Sequence, residues 1–376
     1  MLERLRTMMR KEAIVVLRDP RMRTVVFVAP IIQLVIFGYA ANTDVRHVRT
    51  AVLDLDNTPA SRELVARFAG STYFDIVSYV ATADAAQSLV DRGSARAIIR
   101  LDKGFQEDLD AGRTAAVQLI VDGVDSSTAG VVLKYAGEIA TAYSRQQIGR
   151  RLDRLTGAGP RPGQVVLEPR VWFNENLESR NFYVPGIIAN LVMLITLILT
   201  SMSIVREREI GTMEQVMVTP ITPAELILGK TIPFAIISFI VVLLVTTVGV
   251  FWFGVPIRGS LVLLAAATTL YLLSAAGLGL LVSTICKTQQ QAMMSTFFIM
   301  FPAILLSGFV FPIANMPLPV QWLTLADPLR YFIVVLRGIF LKGVGISILW
   351  PQLLGLAAIG TFVVTLAAKR FHKTLA

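Results

Sequence analysis

The chain has 376 residues, 54% of them hydrophobic, with one cysteine, two histidines and a formal net charge of +9. Its charges are shut out of six stretches rather than thinly spread, which excludes a soluble globular domain and marks an integral membrane protein. Nor is the positive charge a nucleic-acid footprint: residues 42–180 hold 17 basic and 18 acidic side chains, net −1, so the excess lies in membrane-flanking segments, where topology explains it.

Residues 1–23 place Leu2, Leu5, Met9, Ala13 and Val16 at helical spacing, with Arg4, Arg6, Arg10 and Lys11 elsewhere on the wheel. This predicts a helix lying in the membrane interface, against the plainer reading of a basic stub that obeys the charge rule. Residues 24–41 are the first predicted transmembrane helix. With a basic region before it and Gly38, Tyr39 and Ala40 near its end, the segment could pass for a cleaved leader. Glu3, Glu12 and Asp19 in the preceding segment argue against that, as does the odd number of spans that cleavage would leave.

Residues 42–180 change to alternating strand and helix patterns. Strands are expected at Ala51 to Leu55, Tyr73 to Val80, Ala95 to Leu101 and Ala115 to Val121. Helices are expected at Ala60 to Phe68, Ala83 to Asp91, Phe105 to Leu109 and Ser126 to about Leu155. An α/β domain with one layer of helices on a sheet follows. Gly157 to Gly163 reads as a Gly/Pro turn, and Val165 to Phe173 as a strand that returns beside the long helix to form a stalk. The domain has no cysteine and must rely on its own core. Asp54, Asp56 and Asp122 fall at strand ends, where an acid is more often a turn or cap residue than a cation ligand.

Residues 181–376 carry five further uncharged stretches: Phe182 to Val205, Thr231 to Ile257, Gly259 to Cys286, Thr288 to Ala326 and Gly343 to Ala368. Each reaches the roughly 20 residues needed to cross a ~30 Å hydrocarbon core. The fold class is therefore a polytopic helical membrane protein of six spans, with an α/β domain inserted between the first two. Thr288 to Ala326 is too long for one span and contains Pro302, Pro312, Pro317 and Pro319. It reads as a span to about Val310 and then an outer re-entrant segment over 311–340. Fourteen Lys and Arg flank the spans on the side of both termini, against Arg258, Arg330, Arg337 and Lys342 in the short loops opposite. That asymmetry places the termini and the 206–230 loop in the cytoplasm. A bacterial inner membrane with a periplasmic domain fits.

Few residues could carry chemistry. His47 and His372 are far apart in sequence, with no metal-ligand spacing, so no zinc site is expected. Ala224 to Thr231 matches a loose phosphate-loop pattern. Its interior is Glu225, Leu226, Ile227 and Leu228 where a phosphate cradle needs glycines, so ATP hydrolysis by this chain is not expected. A proton-coupled transporter is disfavoured because no acid lies within a span; Glu207, Glu209 and Asp327 stand at span ends. No internal repeat argues for an inverted-repeat transporter either.

The 206–230 loop carries the strongest signal. Arg206, Glu207, Arg208 and Glu209 extend the second span, Gly211 stops the helix, and Thr212 and Glu214 begin a short amphipathic turn. Thr219, Pro220 and Pro223 stiffen the return, with Thr222 and Glu225 placed for a capping box. Gln33, Asn190, Thr196, Thr200, Gln291, Ser295 and Thr296 are polar residues within spans, suited either to lining a pathway or to interhelical hydrogen bonds. Met293, Met294, Phe297, Phe298, Met300 and Phe301 supply an adaptable apolar surface for cargo, lipid or a second copy.

Several motifs together resemble one family. They are Lys11 and Glu12, then Arg18 to Arg21, Pro30 and Gly38, followed by Tyr183 to Gly186, Arg206 to Glu214, and Thr219 with Pro220. The chain resembles the permease subunit of type-2 ABC exporters, in the multidrug-efflux variety with a large periplasmic insertion. The resemblance implies a homodimer or a pair of paralogous permeases, and a separate ATP-binding cassette subunit that carries ATP and Mg. It implies that the 206–230 loop and the N-terminal helix meet that ATPase, and that hydrophobic or amphiphilic cargo, drug-like or lipid-like, is exported. A periplasmic adaptor is a further implied partner, and Phe309 and Phe311 fall in what would be the outer gate. A membrane-anchored receptor or structural protein of the same architecture, without an ATPase, is the competing reading.

Overall fold

The computed structural model describes residues 2–40, 47–123, 126–156, 173, 178–211 and 222–374. The chain divides into two units, residues 43–169 and a second built from 1–42 with 170–376.

Helix α1 (Leu2–Arg18) buries Met8, Glu12 and Val16, spaced one helical turn apart, while Leu5, Met9 and Ala13 of the predicted stripe are only half-buried. The buried face includes Val16 of the predicted stripe and is centred on an acid that hydrophobic spacing does not select. Asp19 ends α1, and its carboxylate accepts from the Met22 N–H at 3.4 Å. Pro20 opens α2 (Pro20–Arg23), a π-helical turn follows at Thr24–Val28, and α3 (Ala29–Ala40) continues the apolar segment.

In the α/β unit, β1 (Val48–Asp54), α4 (Pro59–Ala69), β2 (Phe74–Tyr79), α5 (Ala83–Asp91), β3 (Ala97–Leu101), α6 (Phe105–Ala111), β4 (Val117–Val121) and α7 (Ser126–Thr156) follow in order. The sheet order is β2-β1-β3-β4, parallel except for β4. Val48, Val52, Ile99 and Leu101 pack with Leu64 and Phe68 of α4, Phe105 of α6 and Val132 and Tyr143 of α7. On the opposite face Ala51, Leu53 and Ile98 pack with Ala86 of α5. The single helical layer predicted for this domain is therefore corrected: α5 covers the second face, because β1 and β3 are apolar on both faces, as buried parallel strands are. The returning strand and the stalk predicted after α7 lie outside the described residues, apart from Phe173.

The other unit continues with α8 (Ser179–Ile210), α9 (Pro223–Phe251), α10 (Leu261–Ile285), α11 (Gln289–Leu306), α12 (Leu318–Leu323), α13 (Pro328–Arg337) and α14 (Ile346–Thr374). Among the described residues four helices, α8, α9, α10 and α14, are long and apolar enough to cross a membrane, and Thr24–Ala40 is a shorter apolar segment. The 18-residue α11 opens on three glutamines and ends at Leu306, four residues before the predicted limit of that span. Short helical turns follow it, as its prolines require. Helix α8 is central, packing on α9, α10, α11, α13 and α3, and its Val184, Ile188, Val192 and Leu197 are fully buried.

Candidate functional site

Each charged residue at the Ile210 end of α8 meets a different partner, with one exception. Glu207, 7% exposed, accepts from Lys11 Nζ at 2.9 Å through Oε1, and its Oε2 lies 3.0 Å from Lys230 Nζ. Lys230, only 1% exposed, also faces Glu12 Oε1 at 3.4 Å and donates to the Ser203 carbonyl at 2.8 Å. The cluster ties α1, α8 and α9 together. A buried ammonium is tolerable only with such partners, since an unpaired charge in an apolar setting is very costly. Met8 comes within about a Cβ's reach of Gly229: a side chain there would meet Met8 Sδ at 2.9 Å. The glycine and lysine of the false phosphate-loop match thus have another use, close helix approach and ion pairing, within the unbroken helix α9.

Arg208 donates through Nη1 to the Cys286 carbonyl at the end of α10, at 3.2 Å. Glu209 Oε2 accepts from the Gln289 backbone N–H at 2.9 Å and its side-chain amide at 3.0 Å, satisfying the first turn of α11. Helix α8 ends at Gly211, with φ 83°. Thr222 and Glu225 form the predicted capping box, with Glu225 Oε2 accepting from the Thr222 N–H at 2.8 Å. Thr212, Glu214, Thr219 and Pro220 lie outside the described residues. Arg206, half-buried, makes no hydrogen bond or ion pair with any described residue and lines a cavity between α1, α8 and α9.

At the opposite end of α8, a Cβ on Gly186 would overlap the Phe309 ring, and Tyr183 meets that ring edge-on at 6.0 Å. Arg337 stacks over Phe182 at 3.6 Å. Phe309 is therefore seated against α8, whereas Phe311 is 57% exposed.

The polar residues within the apolar helices differ in placement. Thr196 and Thr200 are fully buried and donate to the carbonyls of Val192 and Thr196 on their own helix. Ser201 of α8 and Thr296 of α11 face each other at 3.3 Å. Asn190 donates to the Gly186 carbonyl at 3.0 Å, and Gln33 is half-buried. Gln291 Oε1 accepts from the Lys287 N–H at 3.0 Å, and Ser295 Oγ lies 3.4 Å from Cys286 Sγ, so both side chains, from the first two turns of α11, meet the α10–α11 connection. Met294, Phe298 and Phe301 on α11 are exposed.

In the α/β unit Asp54 accepts from the backbone of Asp56 and Asn57 and from Ser61, and Asp56 accepts from the N–H groups of Gly104, Phe105 and Gln106 and from Thr58. Both act as turn and cap residues. Burial pushes the Asp56 carboxyl upward, but these hydrogen bonds outweigh it and leave its pKa below the ordinary value. Among the described residues, no group of three His, Cys, Asp or Glu could hold a metal ion.

Sequence reasoning missed Glu12 and Lys230 as site residues. A signal was present, because Lys230 has apolar neighbours at Leu226, Ile227, Ile232 and Phe234, and a lone charge in such a run needs a partner.

Residues 21–369 match the family described as ABC-2 family transporter protein. The chain is 36% identical over 353 residues, 94% of each chain, to the probable multidrug ABC transporter permease YbhR of Escherichia coli (strain K12). It is 34% identical over 351 residues to the probable multidrug ABC transporter permease YbhS of the same organism, covering 90% of this chain and 89% of that one. To the inner membrane transport permease YhhJ it is 31% identical over 330 residues, covering 86% and 85%.

Proposed function

The chain belongs to the ABC-2 transporter family as a permease, a transport subunit and not an enzyme, and from that premise we propose that its 212–221 segment receives the stroke of a separate ATPase subunit. The observation that carries this reading is the anchoring of the helices on either side of the segment. Glu207 joins the end of α8 to α1 and to Lys230 of α9, while Arg208 and Glu209 join it to the α10–α11 turn. A displacement delivered between Gly211 and Thr222 then moves α1, α8, α9 and α11 as a coupled set. Glu207 is too buried to meet a partner itself; its role is to transmit.

In this reading the 206–230 loop and both termini are cytoplasmic, ATP and Mg are held by the partner, and two permeases enclose the pathway. Thr24–Ala40, with the π-turn at its start, and α11 complete six spans in the inner membrane. Residues 42–180 then lie in the periplasm, available to an adaptor. The names of the similar permeases support multidrug export, and the exposed methionines and phenylalanines of α11 suit hydrophobic or amphiphilic cargo. Gln33, Asn190, Gln291 and Ser295 are assigned to the route, with Thr196 and Thr200 as packing residues. Phe309 and Phe311 are assigned to the outer gate, Phe309 as its hinge against Gly186.

The test is purification of the tagged chain from native membranes. An ATP-binding cassette subunit co-elutes and the complex hydrolyses ATP; a complex containing no ATPase contradicts the reading.

A further inference from the structure

We propose that the cavity between α1, α8 and α9 is a binding site for an anionic phospholipid of the surrounding bilayer. Arg206 and Lys11 hold its phosphate, and the first methylenes of its chains lie on the apolar wall. The cavity has a volume of about 220 Å³, and Val15, Val16, Met22, Leu199, Met202 and Phe234 form that wall. This is a continuous apolar surface with cations at one edge, the division of chemistry that an amphiphile presents.

Charge selects the sign of the headgroup. Among the described residues Lys11, Arg206 and Lys230 stand against two carboxylates, Glu12 and Glu207, which leaves one excess positive charge in the cluster. The excess resides on Arg206, the member with no partner among the described residues. A half-buried guanidinium is a planar fork of donors suited to phosphate oxygens. Lys11 is committed to Glu207 through one contact, but its side chain is 54% exposed and has donors to spare.

The occupant is a lipid rather than a soluble anion because most of the wall is apolar and it runs out at Ile210, a lining residue that is itself 62% exposed. Basic pockets between helices at this depth attract anionic headgroups, and each cation near the surface contributes measurably. A seated lipid would brace α1 against α8, next to the ion cluster. The site does not require the ATPase contact, so the two readings can fail separately.

The test is lipid retention by the purified permease complex, counted by native mass spectrometry after exposure to vesicles of phosphatidylglycerol or phosphatidylcholine. Phosphatidylglycerol is retained preferentially. Arg206→Gln lowers its retention by roughly fivefold, the effect of one cation at a membrane surface. Arg206→Lys recovers most of it, which separates lost charge from misfolding. Val15→Trp, which fills the cavity and leaves the charges, also lowers retention, while Arg10→Gln on the exposed side of α1 does not. Equal retention of the two lipids, equal effects of Arg206→Gln and Arg10→Gln, or displacement of the lipid by inorganic phosphate overturns the proposal.

Discussion

Glu207 Oε2 and Lys230 Nζ lie 3.0 Å apart, although 23 positions of sequence separate the residues and both side chains are almost wholly buried. This pair closes the base of the loop proposed to meet the ATPase subunit. It makes the loop an insertion between two fixed helix ends.

Lys230→Met is expected to lower the stability of the permease by about 3–5 kcal/mol, because it leaves Glu12 without its ammonium in a buried site and Glu207 with Lys11 alone. Lys230→Met combined with Glu12→Leu should recover a large part of that loss, because the acid that remains, Glu207, keeps Lys11. Thermal unfolding in nanodiscs measures both. A single variant as stable as the parent would show that the pair is not buried in the assembled protein.

Gly186→Ala is expected to displace the Phe309 ring and cost about 1–3 kcal/mol as an overpacked contact. Phe309→Ala in the same chain should relieve the clash, so that the double variant loses less than the sum of the singles. Strict additivity of the unfolding temperatures would contradict the contact.

Asp56 supplies a pH test in the α/β unit. Its folded pKa lies below the ordinary value of 3.8, so its contribution to stability is present above that value and is lost as pH falls through the folded one. Asp56→Asn should destabilise this unit at neutral pH, with the difference from the parent shrinking below about pH 4. Denaturant unfolding from pH 7 to 3 reads it; a difference constant with pH would contradict the cap.

Glu209→Ala removes the acceptor shared by two Gln289 donors. Amide exchange over Gln289 to Ala292 should quicken, while exchange at the start of α9, capped by Thr222 and Glu225, stays unchanged. Equal protection of α11 in both proteins would show that water replaces the carboxylate without loss.

Much of this architecture was legible in the residues, and two features that were not share one cause, a partner distant in sequence. Helix α5 runs from Ala83 to Asp91 where the residue pattern put it, and Thr222 with Glu225 cap α9 as their spacing predicts. These signals are local. The contact of α1 with α9 was not legible, because Glu12 meets Lys230, 218 positions away, and a hydrophobic stripe contains no information about that partner. The second helical layer had a local signal that was underused: Ala51, Val52 and Leu53 are consecutive apolar residues, the mark of a strand covered on both faces. Gly186 gave no sign of Phe309, since a close approach exists only once the helices are packed.

The most direct test of the central claim is cysteine cross-linking from Glu214→Cys, in a Cys286→Ser background, to the ATPase subunit in intact membranes. The account predicts a cross-link to the ATPase that changes in yield with ATP, and none from a cysteine at Lys342, in the loop assigned to the opposite side. A cross-link from Lys342→Cys with none from Glu214→Cys would contradict it.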